Sequence, residues 1–308
     1  MADKPSRALV LYGDGLARFI SPAQTHLNPF ASWALCGFLA LPHSPPSENE
    51  DMRIVREFAE ILDANEAYES SVANTPQEKR AFPTVAERFM GMKAAIVTDN
   101  LHVKSFGGMV GFKVFSWNEM SENNDSIAEP SHLASELLKL LGFQEGETMD
   151  SDIFELVFVH VGANTKMNGV EGIDLVNRLV GDFLDKAMSE SYIGSRLHMS
   201  VIMSYGAALG DEDLELLVSN TTNKNDSELS HLFPRQSYMM KAGKPRENVR
   251  LHCPMLLAQY QHGVTRVDAA ESFKFRDFLE NGGNLVIPAD RFLHEVAFKL
   301  WKAPKYGA

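Results

Sequence analysis

The chain is poor in cysteine and has no long hydrophobic run. Its 308 residues include only two cysteines, Cys36 and Cys253, which excludes a disulfide framework and a multi-cysteine zinc site. We expect both thiols to be small buried hydrophobic groups. The first apolar run, residues 8–12, is too short for a signal peptide or a membrane span. The sequence therefore predicts a cytoplasmic protein without a membrane partner.

Positive charge is also scarce. There are 29 Lys and Arg residues against 41 Asp and Glu residues, which gives a formal net charge of −12. A chain this acidic repels nucleic acid and anionic membranes, so neither is expected as a partner. The same charge is unfavourable for an anionic substrate unless a local basic pocket offsets it. The sequence contains no GxSxG motif of a serine hydrolase.

What is present is the composition of an ordinary globular protein, 44% hydrophobic and 23% charged. Short apolar runs alternate with segments in which apolar residues recur at helical spacing. This alternation is typical of an α/β fold with a doubly wound, mainly parallel sheet. The predicted strands are residues 8–12, 94–97, 156–161, 199–203 and 255–258. The predicted helices are residues 51–62, 83–90, 132–141, 170–188, 273–279 and 290–301.

One carboxylate follows the first predicted strand directly. The apolar run 8–12 leads into Gly13, Asp14 and Gly15. A buried strand that ends in a small-acid-small turn presents its carboxylate at the carboxyl edge of the sheet, where α/β proteins bind ligands. Two-metal phosphate-transfer sites hold one of their cations in this way. The alternative is an Asp that only forms the turn.

Several further segments follow this one in a consistent order. They are residues 25–37, 82–89, 93–97, 103–112 and 154–161. Together with the opening Leu11-Tyr12-Gly13-Asp14-Gly15, they resemble the archaeal-type cofactor-independent phosphoglycerate mutases of the alkaline phosphatase superfamily. The resemblance covers most of the chain and implies an alkaline-phosphatase-like core.

The resemblance also implies a site that holds two divalent cations. Asp14 matches the family's first-strand Asp, and His252 matches its last metal-ligating His. Ser47 follows a proline pair, as the family's nucleophilic Ser does. Both of the later matches have an alternative: Ser47 with Glu50 also fits a helix capping box, and His252 could be a polar residue where a strand begins.

The other ligands of the family are missing. After His160-Val161, where the family has an Asp and a His, this chain has Asn164, Thr165 and Lys166. Where the family has an adjacent Asp-His pair, this chain has Ser204-Tyr205. Neutral oxygens bind cations more weakly than carboxylates do, and Lys166 adds a positive charge. We interpret His160 as a structural histidine, and we predict an eroded dimetal site.

Active family members carry an inserted substrate-binding domain, and this sequence has no segment long enough to form one at the corresponding position. Only residues 48–82 separate Ser47 from Pro83, which is too short for a folded insert with its own core. We therefore predict a single domain over residues 1–308.

These observations favour a divergent phosphoglycerate-mutase-like protein that is not catalytic. It would act by binding or interaction, with a protein or a small phosphorylated ligand as its partner, and no cofactor is expected. The alternative is an active metal-dependent phosphatase or phosphomutase with an unusual ligand set, which would need a divalent metal such as Mn or Mg.

Overall fold

A computed structural model gives the structure of the protein. It describes residues 5–42, 48–72, 82–120, 130–143, 153–162, 167–187, 192–206, 239–241, 244–245, 255–265, 268–282 and 285–304. Ser47, His252, Cys253 and the segment Asn164-Thr165-Lys166 lie outside these residues. Cys36 is fully buried, as expected.

The described strands are, in chain order, β1 (Arg7–Asp14), β2 (Leu35–Ala40), β3 (Ala94–Val97), β4 (Lys113–Phe115), β5 (Leu156–Gly162), β6 (Leu197–Met203), β7 (Met240–Lys241), β8 (Lys244–Pro245), β9 (Met255–Tyr260) and β10 (Leu285–Pro288). Strands β7 and β8 form a separate two-stranded ribbon. The other eight form one sheet in the order β10-β2-β9-β6-β1-β5-β3-β4. All five predicted strands are therefore present in the central sheet.

The sheet is mixed rather than wholly parallel. Strand β1 is parallel to both its neighbours, β5 and β6, whereas β9 is antiparallel to both β6 and β2. Strand β9 begins beside the end of β6, where Met203 pairs with Leu256. The chain therefore enters β9 from the edge at which it left β6, and the direction reverses.

The described α-helices are α1 (Leu27–Trp33), α2 (Glu50–Ile61), α3 (Asn65–Val72), α4 (Val85–Arg88), α5 (Leu101–Met109), α6 (Pro130–Leu140), α7 (Gly169–Ala187), α8 (Tyr192–Arg196), α9 (Phe275–Asn281) and α10 (Phe292–Lys299). They cover both faces of the sheet. Leu9 and Leu11 of β1 pack in one hydrophobic cluster with α1, α6, α7 and α9. Ala8, Val10 and Tyr12 pack in a second cluster with α2 to α5 and α10. The predicted doubly wound α/β architecture is confirmed.

Helix α2 begins two residues later than a cap at Ser47 would require. Its N-cap is Asn49, whose side chain accepts a hydrogen bond from the backbone N–H of Met52. The capping-box interpretation of Ser47 and Glu50 is therefore wrong. Asn is among the best N-cap residues because its side-chain oxygen satisfies an amide at the helix start.

No helix in the part of the chain that the structure describes is long and apolar enough to cross a membrane.

Phe158 lies at the centre of the second cluster, fully buried, with ring centroids 5.8 Å from Phe58 and 6.0 Å from Phe112. We expect Phe158→Ala to lower the free energy of unfolding by about 3–5 kcal/mol, because it leaves a cavity in a packed core. Urea denaturation measures this. The control is Leu101→Ala at a position that is 75% exposed, which should change stability by less than about 0.5 kcal/mol.

Candidate functional site

The carboxyl ends of β1, β5 and β6 lie side by side, as the sequence predicts. In the sheet register, Asp14 is opposite Gly162 of β5, and Gly13 is opposite Met203 of β6. Because parallel strands end at the same edge, the residues that follow them meet there. Asp14 thus lies at the middle of this edge and is 4% exposed.

The turn after β1 and the turn after β6 are joined by one serine. Ser204 accepts a hydrogen bond from Gly15 N at 2.9 Å through its Oγ, which also donates to Asp14 Oδ1 at 3.1 Å. Its own backbone N–H donates to the Gly13 carbonyl at 3.0 Å. The two turns come very close, since a Cβ on Gly206 would lie 3.1 Å from Gly15 Cα. Both glycines have positive φ values, 68° and 79°, a conformation that favours glycine.

Helix α2 supplies a positive charge to Asp14. Nη1 of Arg53 lies 2.9 Å from Asp14 Oδ1, and the two side chains are only 5% and 3% exposed. The same nitrogen donates to Glu57 Oε2 at 2.8 Å. The other side of the guanidinium pairs with Glu50, with Nε and Nη2 at 2.9 and 2.7 Å from the two carboxylate oxygens. One buried arginine therefore holds three carboxylates.

A second arginine of α2 continues this network away from Asp14. Arg56 pairs with both oxygens of Glu48, at 2.5 and 3.0 Å, and its Nη2 lies 3.9 Å from Glu57 Oε1. Arg53, Arg56, Glu57 and Glu60 are all buried. The inner face of α2 thus carries alternating charges, which is how buried ionised groups are tolerated in proteins.

These charges determine the ionisation at the site. Burial alone would raise the pKa of Asp14, but the His160 imidazole and the Arg53 guanidinium hold it well below its usual range. Burial lowers the pKa of Arg53, yet its hydrogen bonds with Glu50 and the charges of Asp14 and Glu57 outweigh this and raise it. Asp14 and Arg53 are therefore both ionised near neutral pH. Burial raises the pKa of Glu57 to about 7.

The second oxygen of Asp14 faces a histidine. His160 Nε2 lies 3.7 Å from Asp14 Oδ2, too far for a hydrogen bond but close enough for attraction if the ring is protonated. The other ring nitrogen, Nδ1, lies 2.8 Å from Thr98 Oγ1. His160 is buried, and among the described residues its Nε2 has no hydrogen-bond partner.

A small cavity opens beside this pair of groups. Its volume is about 20 Å³, which is room for about one water molecule. Its lining includes Asp14, Thr98, Asp99, His160 and Gly162. As the chain stands, the described residues leave no substrate-sized space at this carboxylate.

The structure describes only one of the three predicted site residues. Asp14 is at the predicted edge, with Ser204 bonded to it. Ser47 and His252 lie outside the described residues, so their predicted roles as nucleophile and metal ligand stay predictions. No group of three or more His, Cys, Asp or Glu side chains in the described ranges is arranged to hold a metal ion.

Two contacts of Asp14 do not fit a divalent cation at this carboxylate. A permanently charged guanidinium lies on its Oδ1, and a neutral hydroxyl, from Ser204, is its neighbour at the end of β6. A divalent cation needs negative or strongly donating ligands and is repelled by a fixed positive charge. The donor set of the described residues therefore belongs to an ion pair and not to a dimetal centre.

Sequence reasoning missed Arg53 and Glu57. The helical pattern places Met52 and Val55 on the buried face, but both are only partly buried, and they line an outer groove of about 330 Å³ between α2, α3 and α5. The buried face combines Phe58 with Arg53 and Glu57. The available signal was the i, i+4 spacing of Arg53 and Glu57, which places opposite charges on one side of a helix.

No family model matches the chain, and the search of curated proteins finds no significant match. Solved structures of similar fold do exist. The PH0037 protein from Pyrococcus horikoshii has a TM-score of 0.56 and 15% identity, with full coverage of both chains. The lipoteichoic acid synthase LtaP from Listeria monocytogenes has a TM-score of 0.52 and 9% identity over 99% of this chain and 74% of its own.

The cofactor-independent phosphoglycerate mutase from Thermoplasma acidophilum has a TM-score of 0.48 and 10% identity, over 96% of this chain and all of its own. At such identities the likeness concerns the fold alone. This chain has an α/β fold with a mainly parallel, mixed sheet of eight strands, and it shares that fold with the PH0037 protein and with LtaP.

Replacing Arg53 should lower the free energy of unfolding more than replacing its partner Asp14 does. We expect Arg53→Met to lower the free energy of unfolding by about 3–5 kcal/mol, because it leaves Asp14 buried without its guanidinium and leaves Glu57 with only the more distant Arg56. Asp14→Asn should cost less, about 1–3 kcal/mol, since Arg53 keeps Glu50 and Glu57. Chemical denaturation at neutral pH tests this order.

The matched control is Arg276→Met. Arg276 pairs with Glu280 at 2.8 Å, but both side chains are about half exposed. An exposed pair contributes little, so this variant should lose no more than about 0.5 kcal/mol. An equal loss in Arg276→Met and Arg53→Met would show that burial of the Arg53 network has no special role.

Glu60 should make stability fall as the pH rises. Burial raises its pKa to about 7, although hydrogen bonding with Asn65 opposes this, and Asp290 adds to the rise. A raised carboxyl pKa gives stability that is fully present below about pH 4.5 and is lost as the pH rises through about 7. We expect Glu60→Gln to remove about 1–3 kcal/mol of the decline in unfolding free energy between pH 5 and pH 8. Parallel profiles for the two proteins would contradict this.

Proposed function

We propose that this protein acts by binding or interaction and does not transfer phosphoryl groups. The observation that carries the proposal is the Arg53 guanidinium, 2.9 Å from the buried carboxylate of Asp14. The resemblance found in the sequence gives that carboxylate the role of a metal ligand. Here its charge is already neutralised by a side chain of the same protein.

Two requirements of phosphoryl transfer, compared with the contacts of Arg53 and Ser204, support the proposal. The reaction needs positive charge aimed at the transferring group, and a nucleophile held in line with it. The charge of Arg53 is directed at three carboxylates of its own chain. The hydroxyl of Ser204 is committed to Asp14 and to the amide of Gly15. Neither group is free to face a substrate.

The partner that we propose is a protein or a small phosphorylated ligand in the cytoplasm. The net charge of −12 supports the absence of nucleic acid and of anionic membranes from the partners, because like charges repel. A phosphorylated ligand would need a local basic surface to overcome the same repulsion.

The second candidate is an active phosphatase or phosphomutase with an unusual ligand set. The pair formed by His160 and Asp14 Oδ2 favours it. His160 Nε2 is a buried nitrogen without a hydrogen-bond partner among the described residues, beside a charged carboxylate and a water-sized cavity. Asp14 itself, whose pKa its neighbours lower, is a perturbed group of the kind that occurs at functional sites more often than elsewhere.

Turnover and metal content decide between the two candidates. The wild-type protein is assayed with p-nitrophenyl phosphate and with 2- and 3-phosphoglycerate, with and without added Mn²⁺, and its metal content is measured. We expect neither turnover above the uncatalysed rate nor stoichiometric metal. Robust turnover that Asp14→Ala and Ser47→Ala both abolish would overturn the proposal. Turnover that neither change affects would point to a contaminant, and purification to constant activity would establish this.

A further inference from the structure

The outer groove between α2, α3 and α5 is a second space, apart from the carboxyl edge of the sheet. Its volume is about 330 Å³, which lies in the range of pockets that hold small organic ligands. Asp14, His160 and Ser204 are not among the residues that line it. The groove is therefore a separate candidate site, and what it binds does not depend on the proposed function.

Helix α2 leaves apolar side chains open at this groove while it buries charged ones. Arg53 and Glu57 are each 4% exposed, whereas Met52 and Val55 line the groove and are only partly buried. A surface helix usually turns its charged residues to solvent and its apolar residues to the core. A contiguous apolar surface that a folded protein leaves open commonly marks a binding surface. The open side of α2 has that character.

Aromatic and thioether side chains make up much of the groove's apolar wall. Tyr68 of α3 and Phe106 of α5 are nearly buried, at 9% and 4% exposure, and Met109 of α5 is 46% exposed. Met52 of α2 adds a second thioether. Ring faces and polarisable sulfur atoms attract aromatic groups. The wall therefore fits a small aromatic ring.

The charge around the groove is negative. Asp51 is its one lining carboxylate, and no Lys or Arg lines it among the described residues. Nε2 of His102 lies 3.4 Å from Asp51 Oδ2, but both side chains are more than half exposed, so this contact contributes little. Helix α3 adds the exposed Glu66 and Glu69 and contains no Lys or Arg. Such a surface attracts a cation and repels a phosphorylated ligand.

We propose that the outer groove binds a small aromatic cation, with its ring against Tyr68 and Phe106 and its ammonium group beside Asp51. A carboxylate is the natural partner of an ammonium group, because it accepts charge-assisted hydrogen bonds. The hydroxyls of Ser71 and Ser105 lie on opposite walls, on α3 and α5. They offer further acceptors to the same group.

Three probes with the same ring and different charge test the proposal. Naphthylmethylamine, naphthalenemethanol and naphthoate are each titrated into the full chain by isothermal titration calorimetry. We expect the amine to bind once per chain with a Kd of about 1 mM or lower, as suits a ligand of so few atoms. It should bind at least fivefold more tightly than naphthoate. Asp51→Asn should lower that preference at least threefold, because it removes the charge that distinguishes the two probes.

Two variants fill the groove from opposite walls. Ser71→Trp and Ser105→Trp replace exposed lining serines, and each should weaken binding of the amine at least tenfold. The matched control is Ser70→Trp. Ser70 and Ser71 are both exposed and each donates to a backbone carbonyl of α3 at 2.7 Å, but Ser70 does not line the groove. The control should change the affinity by less than twofold, and circular dichroism verifies that all three variants fold.

The contrary results are distinct. Absence of saturable binding by the wild type, equal affinity for the three probes, or binding that neither Ser71→Trp nor Ser105→Trp weakens would overturn the proposal. So would a wild-type dimer, seen by analytical ultracentrifugation, that both of these variants convert to a monomer, because a second copy of the chain would then occupy the groove. Phosphatase turnover by the wild type would end the non-catalytic proposal and leave the groove's ligand untouched.

Discussion

The buried ion pair of Asp14 and Arg53 is the constraint on which the rest of this site depends. An ionised carboxylate at the middle of a sheet edge is costly unless a positive group accompanies it. Arg53 provides that group from α2, 2.9 Å away. The helix must therefore lie with its charged side against the end of β1. Within α2, Glu50 and Glu57 pair with the same arginine at i, i+3 and i, i+4 spacing and complete the network around it.

Local apolar patterns were enough to predict five of the sheet's six inner strands, because strands buried on both faces read as continuous hydrophobic runs. They also placed Asp14 correctly, since a strand's end fixes the position of the next residue. The direction of β9 was not predictable, because this antiparallel strand is buried on both faces and therefore has the same continuous apolar run as its parallel neighbours. Strand β2 was missed because its first three residues, 35–37, belong to the segment 25–37, whose resemblance indicated a helix.

The burial of Arg53 could not be predicted from the sequence, for a different reason. Sequence patterns assign charged residues of a helix to solvent, and that assignment is usually correct. Whether a charged residue is buried depends on a counter-charge from elsewhere in the chain, in this case 39 positions away at Asp14. The i, i+4 pair of Arg53 and Glu57 fits an exposed salt bridge equally well. Only the three-dimensional position of α2 over the end of β1 distinguishes the two cases.

A second buried polar cluster differs from the Asp14–Arg53 ion pair because it is uncharged. His198 and Ser200 of β6 lie fully buried beside Gln259 of β9, with nitrogen and oxygen atoms 3.3–3.4 Å apart. Burial lowers the pKa of His198 well below its usual value, so this cluster is neutral and needs no counter-ion. Asp14 is different, because its environment favours the charged form. A carboxylate kept ionised in the interior requires a cation at all times, and a covalently attached guanidinium meets that requirement without dependence on metal supply. At the carboxyl edge of this sheet, the counter-charge of the buried carboxylate therefore belongs to the chain itself.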